Sequence, residues 1–426
     1  MKIAIAGYGL EGESNYRYYA ADSTNEIVII DQRQPENPIP QGVKSIIAEN
    51  ALDNLEGFDL VVRTAGIAPY KIKTDGKVWS ATNEFFSKCP TPIIGVTGSK
   101  GKGTVASLIA SILKASGRKV WLVGNIGLAA LDVLNEISSG DIVIYELSSF
   151  QLWDIEYSPR VAVVLFIEQE HLDIHIDMDD YLNAKYNITR HQTTDDLLVY
   201  NQTNPFTRSI ASQSKAQKVG YPDDKSAHIK DNSFYYGEQL ICSVDALQLR
   251  GLHNQDNACA AIDAIWSFTN DASVIEKGLR DFEGLPHRLK LVRELDGVSY
   301  FDDSIATTPS SAIAALQAFS QPKVIILGGS SKGSDFVELG QELAKQDVRA
   351  ILIGAEAENI AHACQAAGFS AYEILEQATA TKFVERARSL ATTGSVVLLS
   401  PACASFGLFK NYSDRGDQYI AAVEAL

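Results

Sequence analysis

The sequence predicts an α/β protein built from three successive domains. Apolar strand patterns alternate with helix patterns along the chain, as in sheets that are covered by helices. At 426 residues the chain is also too long for one ordinary hydrophobic core. Pro90 and Pro92 mark a linker, and a second boundary is expected before Leu285, which gives domains 1–91, 92–284 and 285–426.

Composition and charge bound the function. Hydrophobic residues make up 46% and charged residues 21%, as in soluble globular proteins. No apolar run approaches the ~20 residues that span a bilayer, and Met1 leads directly into a strand, so we expect a cytoplasmic protein. The five scattered cysteines are expected to be reduced structural thiols. A net charge of −16 disfavours nucleic acid and anionic membranes as partners, and an anionic ligand would need local positive charge and backbone dipoles.

The first domain is predicted to be Rossmann-like. The strand Lys2-Ile3-Ala4-Ile5-Ala6 runs into Gly7-Tyr8-Gly9-Leu10-Glu11-Gly12, and Asp31 follows about 20 residues later. Taken alone, this fingerprint predicts a nicotinamide-dependent dehydrogenase. The same loop and helix N-terminus bind any nucleotide diphosphate, because the glycines only permit close approach of the backbone. Both interpretations remain open at this point.

The second domain is predicted to be of the P-loop ATPase type. The strand Ile93-Ile94-Gly95-Val96 precedes the turn Gly98-Ser99-Lys100-Gly101-Lys102-Gly103-Thr104, and an amphipathic helix follows. Backbone N–H groups and the helix N-terminus converge there on an anion. Gly103 stands where Ser or Thr normally helps to hold Mg²⁺, and Thr104 is the nearest substitute hydroxyl. This departure leaves a non-catalytic nucleotide-binding protein as an alternative.

Polar residues follow the other apolar strands of this domain. Asn125 follows strand 120–123, Glu146 ends strand 142–145, and His171 comes shortly after the apolar segment 161–167. Open α/β sheets bind ligands at the carboxyl ends of their strands, so one cleft is expected to contain all of these residues and the phosphate loop. Glu146 and His171 are candidate ligands for a divalent ion that neutralises a transferring phosphate.

The third domain is predicted to be a doubly wound, Rossmann-like domain. Strand patterns at 298–301, 324–327, 350–353 and 396–399 alternate with helical segments, among them 310–319.

These motifs together resemble the Mur ligase family, and most closely its glutamate-adding branch. The resemblance covers essentially the whole chain in the same motif order. The matching segments are Thr97-Gly98-Ser99-Lys100-Gly101-Lys102, Gly124-Asn125-Ile126-Gly127, Glu146-Leu147-Ser148-Ser149-Phe150-Gln151-Leu152, Glu170-His171-Leu172-Asp173, His253-Asn254-Gln255-Asp256-Asn257, Leu285-Pro286-His287-Arg288, Asp303-Ser304 and Leu399-Ser400-Pro401-Ala402-Cys403-Ala404-Ser405.

The resemblance implies an ATP-dependent carbon–nitrogen ligase that joins glutamate to UDP-N-acetylmuramoyl-L-alanine through an acyl phosphate, in peptidoglycan precursor synthesis. ATP is the co-substrate, and two Mg²⁺ ions are expected. The implied catalytic residues are Lys102, Glu146, His171 and Lys185, where Lys185 matches a lysine that CO₂ converts to a carbamate. The implied metal ligands are Thr104, Glu146, His171 and carbamylated Lys185.

The resemblance also implies binding residues for each substrate. ATP is expected to contact Gly98, Ser99, Lys100, Gly101, Lys102, Gly103, Thr104, Asn257, Arg288 and Asp303. The UDP-sugar is expected to contact Leu10, Glu11, Asp31, Arg33, Thr64, Ala65, Gly66, Asn125 and His171, with the Glu11 carboxylate near the pyrophosphate. Glutamate is expected to contact Thr307, Lys332, Ser405 and Tyr412. These small molecules are the expected partners of a monomer.

Ile305 leaves the stereochemistry of the amino acid open. Many family members carry a lysine at this position, and a sibling branch with a similar Ser-Ile-Ala-Thr-Thr-Pro segment uses L-glutamate. D-glutamate is the favoured expectation, and L-glutamate is the alternative.

Overall fold

The computed structural model describes residues 1–35, 37–172, 174–249, 251–330, 334–376 and 378–426. The chain forms two compact units, Met1–Phe282 and Glu283–Leu426. Within the described ranges, no helix is long and apolar enough to cross a membrane.

The first unit begins with a parallel sheet in the order β3-β2-β1-β4-β5. Its central strands are buried apolar runs, as expected for a parallel sheet that is covered on both faces. The glycine loop after β1 leads directly into α1, so the N-terminus of this helix lies at the carboxyl edge of the sheet. The elements are β1 (Lys2–Ala6), α1 (Leu10–Ala20), β2 (Glu26–Asp31), β3 (Lys44–Ile47), β4 (Leu60–Arg63), β5 (Lys77–Ser80) and α2 (Ala81–Lys88).

A second parallel sheet in the same unit has the order β11-β10-β9-β6-β8-β7. Helix α3 begins immediately after the glycine-rich turn that follows β6. The elements are β6 (Ile93–Thr97), α3 (Lys102–Ala115), β7 (Val120–Gly124), α4 (Ala130–Val133), β8 (Ile142–Glu146), α5 (Ser149–Leu152), β9 (Val161–Val164), α6 (Met178–Arg190), β10 (Leu197–Asn201), α7 (Pro205–Gln213) and β11 (Gln217–Tyr221).

An antiparallel sheet and two helices complete the first unit. The sheet has the order β12-β13-β14, and α8 and α9 both pack against α3. The elements are β12 (Ala227–Lys230), β13 (Ser233–Tyr236), β14 (Gln239–Ser243), α8 (Leu252–Ile265) and α9 (Ala272–Asp281).

Buried polar contacts join the parts of this unit that carry the two parallel sheets. The Arg63 guanidinium is fully buried, pairs with Asp154 and donates to the Phe150 carbonyl at 3.0 Å. Asp132 accepts a hydrogen bond from Ser14 Oγ at 2.9 Å and pairs with Arg17 at 2.7 Å. The sheets therefore belong to one compact unit, and the boundary expected at 91/92 stays a prediction.

The second unit is built on a sheet in the order β15-β16-β20-β17-β18-β19. All neighbouring strands are parallel except the β15–β16 pair, and apolar side chains pack on both faces. The elements are β15 (Lys290–Leu295), β16 (Val298–Asp302), α10 (Pro309–Gln317), β17 (Lys323–Gly328), α11 (Val337–Leu343), β18 (Val348–Ile353), α12 (Ala357–Ala366), β19 (Tyr372–Ile374), α13 (Ala380–Leu390), β20 (Val396–Leu399) and α14 (Tyr412–Glu424).

The predicted α/β class is confirmed, with one correction to a strand. The apolar segment 161–167 is a strand only as far as Val164. Its partner β6 ends at Thr97, and Gly98 has a φ of +154°, so the regular ladder stops there. The Ser99 N–H still donates to the Phe166 carbonyl at 2.9 Å, outside the strand register.

Candidate active site

The turn between β6 and α3 requires glycine at two positions. Gly98 has a φ of +154° and Gly101 a φ of +87°, a region that side chains with a Cβ rarely adopt. A Cβ at Gly98 would lie 2.7 Å from the Leu165 Cβ, and one at Gly101 would lie 2.6 Å from the Asn257 Oδ1. Asn257, an expected ATP contact, therefore lies directly against this turn.

Side chains of the turn hold its shape. Lys102 Nζ donates to the carbonyls of Gly98 at 3.0 Å and Ser99 at 2.8 Å. Ser99 Oγ bonds to the Tyr181 hydroxyl at 2.7 Å, and Lys100 forms a 2.6 Å ion pair with Glu168. Gly101 caps α3 without a side chain, so the amides of the first helical turn, from Gly103 and Thr104 onward, have no side-chain cap. Such amides are the usual ligands of a phosphate.

Lys185 also points at this turn. Its side chain lies one helical turn after Tyr181 on α6 and is almost fully buried, and its Nζ donates to the Gly98 carbonyl at 2.7 Å. Two lysines, Lys102 and Lys185, therefore share one carbonyl oxygen. Burial, and next the charge of Lys102, hold the pKa of Lys185 well below its ordinary value. This environment favours the neutral amine.

Glu146 lies beside the same turn because β6 and β8 are neighbours in the sheet. Val96 is in register with Glu146, so the carboxylate projects where the phosphate loop begins. The side chain is buried, and Asn125 Nδ2 donates to its Oε1 at 3.2 Å. The structure thus brings together Asn125 and Glu146, which the sequence places at the ends of two different strands.

The residues at this edge fit Mg²⁺ without forming a complete cage. Within the described ranges, no group of three or more His, Cys, Asp or Glu side chains is arranged to bind a metal. Mg²⁺ is usually held by one or two carboxylates together with substrate phosphates, and Glu146 and Thr104 offer the oxygen donors that it prefers. His171 provides a nitrogen instead, and its Nε2 lies 3.7 Å from Glu170 Oε2.

The residues expected at the UDP-sugar surround the first glycine loop. Asp31 accepts backbone N–H bonds from Tyr8 at 2.7 Å and Arg33 at 3.0 Å. Glu11 accepts the Ala65 N–H at 2.7 Å, and burial raises the pKa of its carboxyl group. An anion bound beside this loop would therefore compete with the Glu11 carboxylate for the Ala65 N–H. The other expected contacts in this region are Leu10, Arg33 and Gly66, which are exposed, and Thr64, which is partly buried.

The second unit contains the remaining expected ATP contacts, Arg288 and Asp303. Asp303 is buried, and its carboxyl group accepts hydrogen bonds from Ser400 Oγ at 2.7 Å and the Leu289 N–H at 3.2 Å. Burial raises the pKa of Asp303 to about 7, although the charge of the exposed Arg288 acts in the opposite direction. Asp303 is therefore firmly placed, whereas Arg288 projects from the surface of this unit.

The expected glutamate contacts lie on loops of the second unit. Ser405 is buried, Tyr412 begins α14, and Thr307 is half-buried in the loop before α10. Lys332 lies outside the described residues.

Arg415 holds these loops together, and no role was predicted for it from the sequence. Its buried guanidinium donates to Ser304 Oγ at 2.9 Å, to the Ser304 carbonyl at 2.7 Å and to the Cys403 carbonyl at 3.1 Å. Ser304 Oγ in turn donates to the Tyr412 carbonyl at 2.7 Å. In the sequence, Arg415 lies one helical turn inside α14, among residues that are typical of a helix surface, and only this position could have drawn attention to it.

His175 is a second residue that sequence reasoning missed. It lies four positions after His171, yet its side chain is fully buried between α5 and α6. The four-residue spacing from His171 places both histidines near the candidate site, but that spacing does not predict that the His175 side chain is buried.

Comparison with known proteins decides the family. Residues 96–265 match the model of the Mur ligase middle domain, and residues 287–403 match the Mur ligase glutamate ligase domain. A protein of Clostridium tetani named UDP-N-acetylmuramoylalanine–D-glutamate ligase is 36% identical over 454 residues, which is 100% of this chain and 97% of that protein. This chain belongs to the Mur ligase family.

Other members of the Mur ligase family agree in sequence and in fold. A protein of Acetivibrio thermocellus with the same name is 35% identical, covering 100% of this chain and 96% of its own length. The MurF ligase of Thermotoga maritima in complex with ADP has a TM-score of 0.60 and 19% identity, covering 99% of this chain and 95% of that chain. The UDP-N-acetylmuramoylalanyl-D-glutamyl-2,6-diaminopimelate–D-alanyl-D-alanyl ligase of Acinetobacter baumannii has a TM-score of 0.62 and 18% identity, covering 99% of this chain and 93% of that chain. Membership in the Mur ligase family replaces the dehydrogenase interpretation of the first glycine loop.

Proposed function

We propose that this chain is an ATP-dependent ligase that adds D-glutamate to UDP-N-acetylmuramoyl-L-alanine in peptidoglycan precursor synthesis. The observation that carries the proposal is the convergence of Lys102 and Lys185 on the Gly98 carbonyl at the strand edge that also bears Glu146. Relatives that are about 36% identical along the whole chain carry the name of this activity, and that name specifies D-glutamate. The L-glutamate alternative suggested by Ile305 becomes an outcome of the test.

The proposed reaction has two steps, phosphorylation of the carboxylate and formation of the amide. A carboxylate oxygen of UDP-N-acetylmuramoyl-L-alanine attacks the γ-phosphorus of ATP, and the bond from that phosphorus to the ADP oxygen breaks. The glutamate amino group then attacks the acyl carbon, loses a proton, and the tetrahedral intermediate expels inorganic phosphate to leave an amide. Both steps develop negative charge at the phosphoryl group, so preorganised positive groups accelerate them.

Lys102 and the first amides of α3 would hold the phosphates. In the structure, Lys102 Nζ donates to two carbonyls of its own loop, so its ammonium group is held at the turn where the phosphates would bind. Glu146 and Thr104 would hold Mg²⁺, with Asn125 fixing the orientation of the carboxylate. When bound, Mg²⁺ supplies neutralisation of the phosphoryl charge.

Lys185 is proposed to act as a carbamate. The neutral amine attacks CO₂ and loses a proton, which turns a neutral buried group into an anion. Burial lowers the pKa of Lys185, which favours the neutral amine that reacts. The resulting carboxylate-like group would hold a second Mg²⁺ together with His171. The second metal site and the carbamate belong to this proposal.

The remaining assignments extend the proposal to the other substrates. The first glycine loop with Asp31, Glu11 and the Thr64-Ala65-Gly66 segment would bind the UDP-sugar, and the loops tied by Arg415 would bind glutamate. Division into domains 1–91, 92–284 and 285–426, a monomeric state and a cytoplasmic location are part of the same proposal.

The test is product formation from ATP, Mg²⁺ and UDP-N-acetylmuramoyl-L-alanine with D-glutamate, L-glutamate or no amino acid. Mass spectrometry should detect the amide product with D-glutamate and not with L-glutamate. A product with L-glutamate alone would assign the chain to the sibling activity and implicate Ile305. Absence of product with both isomers, from protein that binds ADP, would overturn the ligase proposal.

A further inference from the structure

A buried imidazole bridges two helices beside the phosphate loop. His175 Nδ1 lies 2.7 Å from Asp180 Oδ2, and Nε2 lies 2.9 Å from Ser149 Oγ. The ring stacks on Phe150 at a centroid distance of 5.3 Å and packs against Trp153 at 4.5 Å. The hydrogen bonds and the ring contacts together hold the imidazole in one orientation.

The neighbours of Asp180 define the direction of these hydrogen bonds. Its carboxylate also accepts from Trp153 Nε1 at 3.2 Å and from the Ile176 N–H at 3.3 Å, so it acts as an acceptor. In the neutral ring, His175 Nδ1–H therefore donates to Asp180, and Nε2 accepts the hydroxyl proton of Ser149.

Serine, histidine and aspartate in this order resemble a nucleophilic triad, but the burial argues against that role. Ser149 is 2% exposed and the His175 side chain is 0% exposed, so a substrate carbonyl has no approach to the hydroxyl. The arrangement is therefore suited to holding two elements together.

The two elements joined in this way carry the candidate metal ligands. Ser149 is the first residue of α5, three positions after Glu146 at the end of β8. Asp180 lies in the first turn of α6, directly before Tyr181, which bonds to Ser99 of the phosphate loop at 2.7 Å. Lys185 follows one turn later and bonds to the Gly98 carbonyl. The imidazole thus connects the strand end that bears Glu146 to the helix that bears Lys185.

We propose that His175 is a positioning residue that sets the spacing between Glu146 and α6, and with it the affinity of the phosphate loop for a magnesium nucleotide. The proposal rests on the function proposed above, in which Glu146 holds Mg²⁺. Mg²⁺ demands near-ideal octahedral geometry, so a small displacement of one ligand weakens binding. Residues that hold metal ligands in place without touching the metal commonly change the affinity for the metal.

The test compares His175→Phe with a matched control. Phenylalanine keeps the ring packing and removes both hydrogen bonds. His228→Phe is the control, because His228 also stacks on an aromatic ring, Tyr235 at 5.7 Å, but lies in β12, outside the candidate site. Calorimetry would measure ADP binding with Mg²⁺ and with excess chelator, and thermal unfolding would be recorded for each protein.

We expect His175→Phe to weaken binding of MgADP about tenfold or more, while binding of metal-free ADP changes little. His228→Phe should match the wild type in both measurements.

Ser149→Ala keeps the test decisive if His175→Phe does not fold. It removes one of the two hydrogen bonds with little change in packing, and it should weaken MgADP binding in the same direction by a smaller factor. The proposal would be overturned if a folded His175→Phe variant bound MgADP with wild-type affinity. If only Ser149→Ala folds, wild-type MgADP affinity in that variant would overturn it. Failure of the underlying metal assignment is distinguishable, because Glu146→Gln would then also leave MgADP affinity unchanged.

Discussion

At the scale of single residues, the most informative contact is the meeting of two lysines on one carbonyl oxygen. Lys102 and Lys185 both donate to the Gly98 oxygen, at 3.0 Å and 2.7 Å. Burial, and next the charge of the nearby Lys102, lower the pKa of Lys185 and favour its neutral amine. The chemistry proposed for Lys185 follows from this pair.

Replacing Lys185 tests that chemistry. Lys185→Ala should lower kcat by about 10²-fold, because the proposed carbamate stabilises charge at the phosphoryl group. Added acetate should restore part of the activity of Lys185→Ala, since a small carboxylate can enter the space that is left. Lys185→Arg stays cationic and fills that space, so it should be inactive with and without acetate. Normal turnover by Lys185→Ala would rule out the carbamate.

Asp303 predicts a dependence of stability on pH. Its pKa in the folded protein is about 7, above the ordinary value of 3.8. Because the folded-state pKa lies above the unfolded value, the contribution of Asp303 to stability is fully present below pH 3.8 and is lost as the pH rises toward 7. Asp303→Asn cannot ionise, so its free energy of unfolding relative to the wild type should rise by about 2 kcal/mol between pH 5.5 and pH 8. Denaturant titrations at the two pH values would measure this, and a constant difference would contradict the assigned pKa.

At the scale of elements, helix α3 is preceded by one glycine and followed by another in the left-handed backbone region, and only the first belongs to the phosphate loop. Gly101 has a φ of +87° and faces Asn257, whereas Gly117 has a φ of +81° and faces open space. Alanine at either position should cost roughly 1–2 kcal/mol of stability from the left-handed backbone alone. Comparison of the two variants separates this strain from the contact with Asn257.

Gly101→Ala should therefore lose nucleotide affinity, and Gly117→Ala should not. The added Cβ would displace Asn257 and distort the N-terminus of α3, where the phosphates are proposed to bind. Calorimetric titration with ADP would measure the effect, with unfolding curves to confirm similar stability. Equal ADP affinity in the two variants would show that the approach of Asn257 is unimportant for nucleotide binding.

Some strands and loops can be predicted from the sequence, and others cannot. Strands such as β1, β6 and β8 were predicted because continuous apolar runs end in turn residues, and the phosphate loop was predicted because its glycine spacing is local. The sequence does not predict the arrangement of β12, β13 and β14, because these strands are short and mix buried with exposed positions. His175 and Arg415 were missed for another reason: each is buried by contacts with residues distant in the chain, which no local pattern encodes.

At the scale of the whole molecule, the two units carry complementary sets of expected contacts. The first unit, Met1–Phe282, contains both glycine loops and the candidate metal ligands, and the second, Glu283–Leu426, contains Asp303 and the expected glutamate contacts. A net charge of −16 gives no general attraction for anionic substrates. Binding must therefore depend on local groups such as Lys102 and the amides of α3.

The proposed ligase activates a carboxylate by phosphorylation. The direct measurement uses UDP-N-acetylmuramoyl-L-alanine with ¹⁸O in its terminal carboxylate, together with ATP, Mg²⁺ and D-glutamate. Because one carboxylate oxygen leaves with the phosphoryl group, we predict ¹⁸O in the released inorganic phosphate, one atom for each amide bond formed. If the amide forms and no ¹⁸O appears in the phosphate, the carboxylate is not activated by phosphorylation.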